Sequence, residues 1–325
     1  MRSVLRIDGK EAVADGGGAE VGDLKNELVW SYSRSRAFYG CPRAYWLQYY
    51  GSWGGWDAAA PPETRAAYLQ KKLTSRAMWI GTRVHSVAEG VLKDALAGRA
   101  LPTVDVAKAR VRGVAAADIA GSASGAWLQR PARRTGFGEH YYGESVDDAE
   151  WEAAIAEIER QVSVLFGHRI FRRLLAVGPR VRQVEVLQRF RVDDAEVYVA
   201  LDVLVEDGKG GVTIIDWKTG SAHAMEEIAA QLGVYGLYVT QELGVPDDQV
   251  TAMHVNTRYG TETTHRVDAV AIASARSLIA SSIAAMREKL SDILENKADR
   301  EAFPCVPLGD AACARCSFRR TCERE

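Results

Sequence analysis

Three short apolar runs follow one another between residues 182 and 219, and they constrain the fold more than any other feature of the chain. They read "RQVEVLQRFRV", "EVYVALDVLVED" and "GVTIIDWKT", with the turns "DDA" and "DGKGG" between them. β-Branched and aromatic residues favour extended backbone, and connectors this short make each strand reverse beside the last. The runs therefore predict an antiparallel meander. Upstream, Ile80, Val84, Val87, Val91 and Leu92 recur at helical spacing in a helix expected from Ala77 to Ala97, with His85 beside the stripe. Downstream come a helix around "MEEIAAQLGVYGLYVTQEL", a strand "QVTAMHVNTRYG" and a last helix from Val270 to Leu294. The core order is α, β, β, β, α, β, an α/β fold of the α+β type.

Outside this core the pattern is mixed. "VADGGGAEVGD" is a glycine-rich lead-in without the Gly-Lys-Ser/Thr ending of a phosphate loop and without a dinucleotide fingerprint. In "SYSRSRAFYGCPRAYWLQYY", Ser33 is the expected N-cap of an aromatic-rich helix that Cys41-Pro42 interrupts. Pro62 to Leu73 reads as a helix started by "PET", and Asp147 to Leu175 as a longer one. Residues 99–145, with "RPARRTGFGEHYYGES", read as a loop or inserted subdomain. The expected divisions are a lead-in and helical region over 1–76, a core over 77–300 with an insertion at about 99–180, and a tail over 301–325.

The chemistry begins at the end of the third run. Side chains i and i+2 of a strand share a face, so Asp216 and Lys218 point the same way. Alone, they read as a solvated strand end with a weak ion pair. Asp202 changes the weighing, because it lies inside "VALDVLV", where an unpaired carboxylate is costly to desolvate. The turn between the two acids brings both to one end of the sheet, where they repel unless a cation sits between them. Mg²⁺ or Mn²⁺ suits oxygen ligands, and Lys218 can stabilise charge on a phosphoryl oxygen. The constellation predicts a metal-dependent phosphodiester-cleaving site.

"ALD" followed by "IIDWKTG" resembles the core of the PD-(D/E)xK nucleases in their RecB-like branch. "GTRVHSVAEG" is similar to that family's upstream helix, "VEV" to its first core strand, and "AAQLGVYG" to its Gln-x-x-x-Tyr helix. Val199 stands where the family usually has a glycine, three positions before the first Asp. The resemblance implies a restriction-endonuclease-like αβββαβ core with added helices. It implies metal ligation by His85, Asp202 and Asp216, assistance by Lys218, support from Glu185, and orientation of site or substrate by Gln231 and Tyr235. It also implies DNA with free ends or single-stranded regions as substrate, with exonuclease action.

Four of the five cysteines, Cys305, Cys313, Cys316 and Cys322, follow residue 304, and the fifth is Cys41. In a reducing compartment such crowding argues for metal or cluster ligation over disulfides. Spacing alone leaves zinc and an iron–sulfur cluster both open. The split pattern of Cys41 with Cys313, Cys316 and Cys322 resembles the iron–sulfur members of the RecB-like branch, the AddB-type nuclease domains and the CRISPR-associated RecB-like exonucleases. That resemblance implies a [4Fe–4S] cluster joining the N- and C-terminal parts, with Cys305 outside the ligand set and Tyr45, Trp46, Tyr49 and Tyr50 packed around it.

With 26% charged residues and a net charge of −2, a uniformly basic nucleic-acid binder is excluded, while a local basic groove is not. Arg169, Arg172, Arg173, Arg180 and Arg182, and later Arg315, Arg319 and Arg320, supply candidate phosphate contacts, with Phe171 and Phe318 as stacking partners. No run has the apolar length of about 20 residues that a span needs, and no signal-peptide core begins the chain, so no membrane and a cytoplasmic location are expected. The absence of a Walker motif assigns any ATP-driven unwinding to another protein. A helicase, CRISPR or defence-system partner is therefore expected. Two readings follow: a metal-dependent DNA nuclease in repair, CRISPR or anti-phage defence, and a DNA-binding or scaffolding subunit whose nuclease is latent until a partner binds.

Overall fold

The computed structural model describes residues 4–7, 10–13, 24–177, 180–221 and 225–322. Most of "VADGGGAEVGD" lies outside them. β1 (Val4–Ile7) and β2 (Lys10–Val13) form a small antiparallel pair. α1 (Tyr32–Gly40) and α2 (Pro42–Trp46) follow, then a π-helical turn at Leu47–Gly51, α3 (Pro62–Lys71) and β3 (Leu73–Thr74). Next are α4 (Arg76–Leu96), α5 (Val104–Ala123), β4 (Gly136–Phe137), α6 (Gly138–Tyr142), α7 (Asp148–Gly167) and α8 (Arg169–Val177). The central sheet comprises β5 (Val181–Val192), β6 (Ala195–Glu206), β7 (Val212–Lys218), β8 (Val250–Asn256) and β9 (Thr261–Arg266), in that spatial order. α9 (Met225–Glu242) connects β7 to β8, and α10 (Ala269–Arg287) and the short α11 (Ala311–Ala314) complete the chain.

β5, β6 and β7 pair antiparallel, as the two tight turns require. β8 then pairs parallel to β7, which needs a crossover, and α9 supplies it. The mixed five-stranded sheet with helices on both faces is the restriction-endonuclease-like architecture. On one face, Val197, Leu201, Leu204 and Ile214 pack with Leu232 and Leu237 of α9 and Ile279 and Ile283 of α10. On the other, Val203, Ile215, Trp217 and Val255 meet Ala88, Val91 and Leu92 of α4, Leu165 of α7 and Phe171 of α8. α4 also turns Trp79 and Val84 toward a helical layer containing Val111 of α5 and Trp151 and Ile158 of α7. It thus holds the inserted helices against the sheet.

Several elements differ from the sequence expectation. The 99–145 region contains the 20-residue helix α5, capped by the Thr103 side chain on Val106 N. Its alanine-rich run gives almost no apolar periodicity, which hid it. The helix expected over Asp147 to Leu175 breaks at His168, which is extended (φ −70°, ψ 131°), so α7 and α8 are separate. Asp147 and Glu150 form a reciprocal capping box at the start of α7. Ser31, not Ser33, caps α1. The final helix ends at Arg287, seven residues short of Leu294, and the run "QVTAMHVNTRYG" is followed by an additional edge strand, β9. α10 itself, with a mean hydropathy of 1.6, has the length and composition of a membrane span, against the expectation. One side of it, with Ala275, Ile279, Ile283 and Met286, packs into the core.

The tail lies on the N-terminal helices. Phe303 is fully buried beside Tyr45 and Tyr50, at ring separations of 5.8 and 6.1 Å. Phe318 packs with Leu47 and Ala67. Trp46 Nε1 donates to Ala298 O at 2.7 Å and Arg43 Nε to Phe303 O at 2.8 Å.

Candidate active site

β6 changes face at Asp202. Leu201 and Leu204 both enter the α9 side of the core while Val203 enters the α4 side, so the regular alternation slips by one at this acid. The partner strand is irregular at the same point. Glu185 lies between the Val184–Val203 and Val186–Leu201 pairs and has φ +52°. A left-handed residue with a side chain in mid-strand costs about 1–2 kcal/mol. At this irregularity the Glu185 and Asp202 carboxylates come within reach of α4.

There they meet His85. Its Nδ1 is 3.0 Å from Glu185 Oε1 and 3.7 Å from Asp202 Oδ1, and its Nε2 is 3.1 Å from Trp217 O. Both ring nitrogens thus face oxygen atoms, which fixes the plane of the imidazole between α4 and the sheet. One ligand atom from each of His85, Glu185 and Asp202 lies within 4.8 Å of the others. Asp202 is buried, and its Oδ2 accepts from Trp217 N at 2.8 Å, which fixes the carboxylate relative to β7.

Asp216 and Lys218 share a face, as their spacing requires. Lys218 Nζ is 3.0 Å from Asp216 Oδ1 and 2.8 Å from Oδ2. Only the Oδ1 approach is directional enough for a hydrogen bond, which leaves the buried Oδ2 without one. Lys218 Nζ also donates to Gln231 Oε1 at 2.9 Å, and Gln231 Nε2 donates to Tyr235 OH at 2.8 Å. Gln231 and Tyr235 stand one turn apart on α9. Asp202 and Asp216 fall at the step beyond the Val203–Ile215 pair, so the two acids occupy neighbouring strands at one end of the sheet. The three-residue group formed with His85 nevertheless contains Glu185, while Asp216 is held against Lys218. Two carboxylates and an imidazole are a donor set that suits a divalent cation.

The profile of the PD-(D/E)XK nuclease superfamily matches residues 29–323. The chain belongs to the PD-(D/E)XK nuclease superfamily. A search of curated proteins finds no match. Two features of this superfamily member's centre were not singled out in the sequence: the Trp217 carbonyl facing His85, and Gly81. A Cβ at Gly81 would lie 2.7 Å from Thr219 Oγ1, so only glycine lets α4 approach the end of β7 this closely. Its signal was present in "GTRVH", one helical turn before His85. Val199, in place of the family's glycine, is buried in the core on the α9 side.

In this nuclease-superfamily chain none of the five cysteines is disulfide-bonded. Burial pushes the Cys316 thiol up, and Cys41 and Cys313 add to the effect. Burial also raises Cys322, together with Cys305, Cys316 and Cys41. The five sulfurs thus form one electrostatic neighbourhood across the N-terminal helices and the tail. Cys305, read as lying outside the set, has its sulfur 3.6 Å from that of Cys322. Among the described residues, no three cysteines bring their sulfurs within 4.8 Å of one another.

The aromatic part of the expected DNA path is corrected. Phe171 is fully buried against Phe166 and Trp217, and Phe318 is buried under Leu47, so neither can stack on a base. Their apolar surface closes the core. Arg169 pairs with Glu262, Arg182 with Glu206 at 2.7 Å, and Arg319 with Glu144 at 2.5 Å. Arg319 lies over the Tyr142 ring at 4.0 Å and Arg320 over Tyr141 at 5.0 Å. Arg34, buried under Tyr45 and Tyr49, binds the carbonyl of Val29 at 3.1 Å and organises the aromatic cluster of α1 and α2.

Proposed function

We propose that the protein is a divalent-metal-dependent deoxyribonuclease that hydrolyses phosphodiesters, acting as an exonuclease on DNA ends or single-stranded DNA. The observation that carries this reading is the convergence of His85, Glu185 and Asp202 beside the Asp216–Lys218 pair. Those side chains, with the Asp216 carboxylate, would hold Mg²⁺ or Mn²⁺. Bound there, the ion supplies Lewis acidity toward phosphate and lowers the pKa of water. The chain's own part is to place charges. Lys218, held between Asp216 and Gln231, presents an ammonium to a phosphoryl oxygen or an attacking water. Tyr235 fixes the Gln231 amide.

Cys41, Cys313, Cys316 and Cys322 would hold a [4Fe–4S] cluster, with zinc as the alternative. What supports a bound cation is the grouping of these thiols: burial raises Cys316 and Cys322, and a metal ion would offset the charge of their thiolates. A brown preparation whose visible absorption bleaches on reduction supports the cluster, and a colourless one purified without air refutes it. The setting we infer is a cytoplasmic repair, CRISPR or anti-phage defence process with a helicase or defence-system partner.

A second reading, a DNA-binding or scaffolding subunit with latent nuclease activity, is favoured by one observation. Lys218 is already engaged by both Asp216 and Gln231, so a partner that loosens this arrangement would switch the centre on. Labelled single-stranded and duplex DNA incubated with Mn²⁺ or Mg²⁺ separates the two. Cleavage by the wild type and none by Asp216→Ala supports the first reading. No cleavage with either ion favours the second.

A further inference from the structure

Gln161, on α7, and Thr257, just after β8, are each 1% exposed, and neither belongs to the centre described above. Both reach the backbone that carries Lys218. The Lys218 carbonyl accepts from Thr257 N at 2.7 Å, with the Thr257 hydroxyl 3.1 Å away. The Thr219 carbonyl accepts from Gln161 Nε2 at 3.0 Å, and the Gly220 carbonyl from Asn256 Nδ2 at 3.2 Å. Three consecutive carbonyls are therefore held from two directions, by the inserted helical layer and by the neighbouring strand.

The Gln161 amide has one workable orientation. Its Nε2 donates to Thr219 O and to Glu157 Oε1 at 2.9 Å, while its Oε1 accepts from the Thr257 hydroxyl at 2.7 Å. Flipping it would set an oxygen against a carbonyl and a carboxylate. Glu157 stays ionised because the Arg160 guanidinium, bonded to both its oxygens at 2.7 Å, holds its pKa below the usual carboxylate range. The single Thr257 proton goes to the nearer oxygen, that of Gln161, since the Lys218 carbonyl already has an amide partner. Two apolar side chains would fill this space with less desolvation cost. What the polar pair adds is a fixed position for the Lys218–Gly220 backbone.

We propose that Gln161 and Thr257 are positioning residues for Lys218, holding the backbone from which its ammonium reaches Asp216 and Gln231. The inference rests on reading Asp216 and Lys218 as the hydrolytic centre. Thr257→Val and Gln161→Met remove the side-chain hydrogen bonds at nearly constant volume, and Thr257→Ser restores the hydroxyl. Ser282→Ala is the control for a merely structural loss, because Ser282 is fully buried on α10 and accepts from Trp30 Nε1 at 2.7 Å. Three quantities are read: melting temperature, kcat and KM on a labelled oligonucleotide with Mn²⁺, and the acetylation rate of Lys218 by peptide mass spectrometry.

The expected result for Thr257→Val and Gln161→Met is a kcat about tenfold lower or more, with KM within about twofold. Lys218 acetylation is faster in both, and Thr257→Ser reverts towards wild type. Ser282→Ala lowers the melting temperature without either change. The proposal is overturned if Lys218 reactivity stays at the wild-type level, or if Ser282→Ala reproduces the kinetic effect. Should the wild type cleave nothing while Lys218 reactivity rises in both variants, the positioning role stands and the nuclease reading falls.

Discussion

Asp216 and Cys316 are both groups that would face a metal ion, yet the chain holds them by different means. Asp216 lies on a strand paired on both sides, and the groups around it are tied to one another by hydrogen bonds from Trp217 to Asp202 and from Lys218 to Asp216 and Gln231. Cys316 follows a four-residue helix in a tail, where it packs with Leu47, Ala67 and Phe318 and its sulfur accepts from Phe318 N at 3.4 Å. Backbone pairing therefore positions the first centre, and a bound cluster would do for the tail what the ladder does for Asp216.

The sharpest way to break this contrast is to remove an acid. Asp202→Ala and Asp216→Ala should each reduce cleavage of labelled DNA by about 10³-fold, the scale of losing a central charged group, while helix and sheet signals in circular dichroism persist. A global collapse of structure would show that the acids support the fold instead. Cys316→Ser should do the reverse, losing visible absorption and lowering the melting temperature by roughly 5–10 °C, with cleavage largely retained at low temperature. Chelation of the divalent ion should stop cleavage and leave that temperature nearly unchanged. Equal thermal effects of the two removals would erase the distinction.

Phe303→Ala tests the packing that joins the tail to α2. A fully buried phenylalanine truncated to alanine costs about 3–5 kcal/mol, read by chemical denaturation. The smallest effect concerns Lys71 on α3, over the Tyr49 ring at 5.6 Å. Burial, with Lys72 and Arg34 nearby, lowers its pKa to about 7. Between that value and its ordinary 10.5 the unfolded chain binds the extra proton, so this group's penalty is complete below pH 7 and fades as pH rises. Lys71→Met should raise the melting temperature by roughly 2–4 °C at pH 6, and the gain should shrink toward pH 10. A gain independent of pH would assign the effect to packing.

The sequence was most legible where local rules and fold agree. The meander, α4 and the shared face of Asp216 and Lys218 all follow from period and turn length, and the structure places them so. Glu185 was visible only as an acid on a strand. Its turn toward His85 depends on a left-handed backbone that no pattern announces. α5 was hidden because alanine-rich helices carry little periodic signal. Gln161 and Thr257 were invisible because an isolated glutamine or threonine gains meaning only from the carbonyl it meets. Phe171 and Phe318 misled for the opposite reason, since an aromatic among arginines has the same letters whether it faces DNA or the core.

The parallel pairing of β7 with β8 has a consequence for how the molecule comes into being. His85, Glu185, Asp202, Asp216 and Gln231 are spread along much of the chain, and the strand that locks Lys218 from its far side is made only at residues 250–257. A nascent polypeptide still short of that point holds the acids and the lysine but not the wall they lean on. The backbone of Lys218 therefore gains its second support only after the acids and the lysine themselves have been made.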